Sequence, residues 1–73
     1  MGFSENIRKT REYRKLTQVQ LADRIGVTPA AVNQYEKGIK LPNIIYAVKI
    51  ADVLGTTCEE LVNGKGDEQT DGK

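Results

Sequence analysis

The sequence predicts a single all-α domain, a compact bundle of five short helices. Three observations carry this. The chain has 73 residues, which is room for one domain and too few for a barrel or a doubly wound sheet. No stretch alternates apolar and polar residues with the period of two that a half-buried strand needs. The same local order also recurs along the chain: Ser, Thr or Asn, then apolar residues at helical spacing, then usually a glycine. The first supplies a side-chain oxygen to a free N–H at a helix start, and the glycine takes the left-handed conformation at a helix end.

Helix 1 is expected over roughly 5–14, with Ser4 as its cap and Phe3, Ile7, Thr10, Arg11 and Arg14 on one stripe. Thr17 caps helix 2 and Gln20, three residues on, completes a capping box. Leu21, Ala22 and Ile25 form its apolar face, and Gly26 ends it. Thr28 caps helix 3, about 29–37, with Pro29 in the first position, where its missing N–H costs nothing. Val32 and Tyr35 point inward, and Gly38 stops the helix. Asn43 caps helix 4, about 44–54, whose expected inward set is Ile44, Ala47, Val48, Ala51 and Leu54, with Gly55 after it. Thr57 caps a fifth helix, 58–62, with Leu61 and Cys58 inward. Residues 1–62 thus form the domain. Residues 63–73 are polar, lack a large apolar side chain, and are expected to be a disordered tail.

Composition excludes several classes of function. No apolar run approaches the roughly 20 residues of a membrane-spanning helix, and the charged N-terminus lacks the apolar core of a secretory signal. Asn6 stands where a myristoylation motif needs Ser or Thr. One cysteine, Cys58, cannot form an intrachain disulfide, which favours the reducing cytoplasm. With no histidine, a structural zinc site is not expected, nor is any other cofactor, and there is little from which to build an enzyme. The net charge of +1 conceals a split. Residues 1–40 carry eight basic against four acidic side chains, and residues 41–73 three against six. A basic half suggests a polyanion on one face, although an asymmetry of this size also suits plain solvated surface.

Two short helices joined by Gly26-Val27-Thr28 have the layout of a helix-turn-helix. The run Leu16-Thr17-Gln18, Leu21-Ala22, Ile25-Gly26-Val27-Thr28, Val32, Tyr35-Glu36, Gly38 and Pro42 resembles the Cro/C1-type helix-turn-helix family, that of the phage lambda repressors and the Xre regulators. The resemblance continues through Lys49-Ile50-Ala51, Leu54-Gly55 and Glu60-Leu61, and so covers about residues 4–62. It implies a lambda-repressor-like bundle that binds double-stranded DNA, with helix 3 in the major groove and helix 2 across the backbone.

On that reading Thr28, Pro29, Ala30, Asn33 and Gln34 face the bases. Asn33 and Gln34 can pair with an adenine edge, while Thr28 and Ala30 offer methyl groups to thymine. The bland alternative is that the two amides decorate a solvated helix face. Gln18, at the start of helix 2, resembles the family's phosphate contact, although glutamine there also suits a helix start. Lys37, Gly38 and Lys40, with the backbone N–H groups from Gly38 to Lys40, resemble a second phosphate clamp. Arg14, Lys15 and Arg24 are further possible contacts. Arg11 and Glu36 lie on inward faces, and the family has an ion pair at these positions. Both are therefore expected to be structural.

There are departures from the family pattern. Thr10 replaces a leucine, and Lys15 replaces a glycine that ends helix 1. A lysine there is either left-handed, at about 1–2 kcal/mol, or the helix ends differently. Ile45 and Tyr46 replace a polar pair. With Leu41 and Val62 they make a candidate dimer patch, because the family places this end near the dyad; scattered surface apolar residues are the alternative. The sequence thus points to a transcriptional regulator, a repressor in particular, that pairs as a weak homodimer on a palindromic operator. The competing reading is an antitoxin whose main partner is another protein.

Overall fold

The computed structural model describes residues 2–64, and within them five helices account for the regular structure: α1 (Phe3–Tyr13), α2 (Gln18–Ile25), α3 (Pro29–Lys37), α4 (Ile44–Leu54) and α5 (Cys58–Asn63). The start of the expected tail is corrected: Asn63 still belongs to α5 and Gly64 is its left-handed cap. The remainder of that segment lies outside the described residues.

Capping side chains set four of the five helix starts. Thr17 Oγ1 accepts from the Gln20 N–H at 3.0 Å while Gln20 Oε1 accepts from the Thr17 N–H at 2.9 Å, closing the capping box. Thr28, Asn43 and Thr57 each accept from the N–H three residues on. The α1 start differs from expectation. Gly2, not Ser4, is the N-cap, and it has no side chain to contribute. Ser4 lies inside the helix, because the Gly2 carbonyl already accepts the Asn6 N–H at 3.0 Å. At the other end α1 stops at Tyr13, and Lys15 takes the left-handed conformation with φ 61°.

Ile7, Leu21, Ile25, Val32, Ile50, Leu54 and Leu61 are fully buried and form the centre of the core. Each stabilises the fold by about 1.5–3 kcal/mol relative to exposure. The buried face of α4 is not the expected one. Ala47, Ile50, Ala51 and Leu54 point inward, whereas Ile44 and Val48 are exposed. The helix carries two overlapping apolar stripes at i, i+3, i+4, i+7, and burial follows the one shifted toward the C-terminus.

Polar ties orient α1. Buried Asn6 donates through Nδ2 to the Leu61 carbonyl at 2.6 Å, joining the first helix to the last. Arg14 donates through Nε to the Leu54 carbonyl at 2.8 Å, which satisfies an orphan acceptor at the C-terminus of α4. Its guanidinium is thereby turned toward α4, in contrast to the phosphate role considered for it.

Candidate nucleic-acid interface

The site is built by α2, α3 and the turn between them. Gly26 has φ 83°, a conformation that only glycine adopts without strain, and no atom stands within 4 Å of where a β-carbon would be. Val27 follows and packs partly on the core. Thr28 then opens α3, so two packed helices are joined with no slack.

One side of α3 is held and the other is open. Val32, Tyr35 and Glu36 are buried. Thr28, Pro29, Ala30, Gln34 and Lys37 are exposed and Asn33 is half-buried, all on the opposite stripe. The side chains of Asn33, Gln34, Lys37 and Lys40 make no hydrogen bond or ion pair with other described residues. Their donors and acceptors are therefore available to a ligand. Thr28 is partly committed, since its hydroxyl caps the helix at 3.1 Å from the Ala31 nitrogen, while its methyl group is unencumbered.

The loop after α3 is tighter than the sequence suggested. The N–H groups of Gly38, Ile39 and Lys40 donate to the Tyr35 and Gln34 carbonyls at 3.0–3.3 Å. Gly38 is left-handed, with φ 75°, and a β-carbon on it would meet Ser4 Oγ at 3.5 Å. The Lys40 side chain, on an exposed residue, is what this loop holds out to an anion.

Arg11 and Glu36 meet as expected. Arg11 Nε donates to Glu36 Oε2 at 2.6 Å and Nη2 to Oε1 at 3.1 Å. The Arg11 side chain is 11% exposed and that of Glu36 is 2%. Arg11 Nη1 also donates to the Leu16 carbonyl at 2.7 Å, fixing the chain between α1 and α2. The hydrogen bonds that Arg11 donates to Glu36 raise the guanidinium pKa above its ordinary value, outweighing the opposite push of burial. Two features escaped sequence reasoning. Gln18 Nε2 donates to Glu36 Oε1 at 3.0 Å, a contact between residues 18 apart that no spacing announces. Asn6 is the other, though Phe3, Asn6, Ile7 and Thr10 do fall at helical spacing.

Of the expected dimer patch, Leu41, Ile45 and Val62 are exposed and Tyr46 is half-buried, with Lys49 Nζ 5.7 Å above the centre of its ring. Ile39, Ile44 and Val48 are exposed as well, so the region around the start of α4 is more apolar than the expected patch.

Two packed helices, a glycine turn and an outward stripe on the second helix define a helix-turn-helix domain. Residues 7–61 match the family model described as helix-turn-helix, and the chain belongs to that family, the Cro/C1 type. It is 36% identical over 67 residues to an uncharacterized HTH-type transcriptional regulator, YqaE, of Bacillus subtilis, covering 92% of this chain and 58% of that protein. It is 38% identical over 61 residues to the cryptic phage CTXphi transcriptional repressor RstR of Vibrio cholerae, covering 84% and 54%. The P22 c2 repressor, solved in complex with a synthetic operator, superposes with a TM-score of 0.84 at 26% identity, covering 88% of this chain and 97% of that one. The chain spans a little over half the length of YqaE and of RstR.

Proposed function

We propose that this chain binds double-stranded DNA sequence-specifically and regulates transcription, as a repressor, with α3 reading the major groove. The observation that carries the reading is the outer stripe of α3. Thr28, Pro29, Ala30, Asn33 and Gln34 stand on a helix whose other side is locked in the core, and the Asn33 and Gln34 amides have no partner within the described residues. Such a rigid, unsatisfied donor and acceptor set is what base-edge recognition requires. Gln18, Lys37 and Lys40 hold phosphates on either side, and Gly38 keeps the loop close. The names of RstR and the P22 c2 repressor support the repressor role. The chain works without catalysis or cofactor, in the cytoplasm; no helix among the described residues is long and apolar enough to cross a membrane. Two copies pair weakly in solution and more firmly on a palindromic site.

Salt tests this directly. Lys37 and Lys40 displace counterions in each copy, so affinity for duplex DNA falls steeply between low and physiological salt. Lys40→Ala flattens that dependence and weakens all sequences about equally. Binding that is insensitive to salt contradicts the proposal.

A further inference from the structure

The Glu36 carboxylate does more than balance Arg11. Its Oε1 accepts from Arg11 Nη2 at 3.1 Å and also from Gln18 Nε2 at 3.0 Å. Gln18 is the first residue of α2 and is half-buried. An ionised carboxylate only accepts, so the amide must turn its NH2 group, not its oxygen, toward Glu36. One N–H is then committed inward. The second, fixed by the planarity of the amide, points away from the carboxylate.

The surrounding backbone makes that second N–H useful. The capping box takes up the amides of Thr17 and Gln20. Those of Gln18 and Val19, first in the helix, have no helical carbonyl to reach. Three donors therefore gather at one helix start, where an anion is favoured. A negative carboxylate close behind would repel a phosphate, but Arg11 neutralises it at 2.6 Å.

We propose that Glu36, neutralised by Arg11, is a positioning residue for DNA: it holds the Gln18 amide in the orientation that donates to a backbone phosphate. This rests on the reading of Gln18 as a phosphate contact given above. A glutamine with no such restraint would lose rotamer freedom on binding, so removal of Glu36 lowers affinity even when Gln18 is intact.

The test is a mutant cycle on DNA affinity, with a labelled duplex of about 20 base pairs and arbitrary sequence at low salt, where backbone contacts dominate. The variants are Gln18→Ala, the pair Arg11→Met with Glu36→Leu, and the combination. Replacing both members of a buried ion pair with apolar residues of similar size often preserves folding; circular dichroism establishes it here, and Glu36→Met, which also removes the acceptor, takes the pair's place in the cycle if the pair variant fails to fold. Gln18→Ala is expected to weaken binding about tenfold in the native background and less than about twofold once Glu36 is gone, a non-additivity that marks coupled residues. The salt slope stays constant across the Glu36 variants, since a neutral amide releases no counterion. Equal losses in both backgrounds overturn the positioning role while leaving Gln18 as a contact. No loss from Gln18→Ala in the native background refutes the contact itself, and the proposal with it.

Discussion

Arg11 and Glu36 form a buried pair whose two members are not equivalent, and substitutions will expose the difference. Removing Arg11 leaves a carboxylate that is 2% exposed with only the Gln18 amide for company. Arg11→Ala should therefore cost about 3–5 kcal/mol. Removing Glu36 leaves a guanidinium still bonded to the Leu16 carbonyl and 3.9 Å from Glu12, so Glu36→Ala should cost less. Thermal melting of both single variants and the double variant checks this. The double recovers part of the loss, whereas strictly additive losses would mean that the pair contributes nothing as a pair. Alkali does not break the bridge from the arginine side at ordinary pH. Because the folded-state pKa of Arg11 is raised, its stabilisation is complete below the usual arginine range and declines only as pH climbs through the raised value.

At the scale of single elements, Lys15 is the one described non-glycine residue with positive φ. It is exposed, so the left-handed backbone is strained without compensation from packing. The strain is about 1–2 kcal/mol, and a glycine gives back about 0.4–1 kcal/mol through its more flexible unfolded state. Lys15→Gly should thus stabilise by about 0.5–1 kcal/mol and raise the melting temperature by several degrees; a lower melting temperature would show that the lysine side chain contributes something the contacts do not reveal. Elements were legible in the sequence where the chemistry is local. Thr17 with Gln20, Thr28 with Pro29, and Asn43 mark starts that the structure reproduces, because a cap acts across only three residues. The α1 start was missed because Gly2 caps with backbone alone and leaves no side-chain signal. The rotation of α4 was missed because Ile44 and Ile50 belong to competing apolar stripes, and only the neighbouring helices decide between them. The open stripe of α3 could be read from spacing. The bond from Gln18 to Glu36 could not, since it depends on how α2 and α3 meet.

For the whole molecule, one domain reaches about half a turn of DNA, so specificity calls for two copies on one face of the duplex. Leu41, Ile45, Tyr46 and Val62 are the proposed contact, and exposed Ile44 and Val48 can extend it. Ile45→Glu should leave the fold intact, because Ile45 is 62% exposed. It should reduce cooperativity on a palindrome and spare binding to an isolated half-site. Cooperativity equal to that of the unaltered chain would place the interface elsewhere. The central claim, that the outer stripe of α3 reads sequence, is tested most directly by selecting bound duplexes from a random pool with the native chain and with Asn33→Ala and Gln34→Ala. The native chain should enrich a symmetric motif with half-sites about one helical turn apart. Each variant should lose preference at one or two positions in each half-site, by roughly 1–3 kcal/mol, and keep the rest of the motif. An unenriched pool, or a motif that both substitutions leave unchanged, would contradict it.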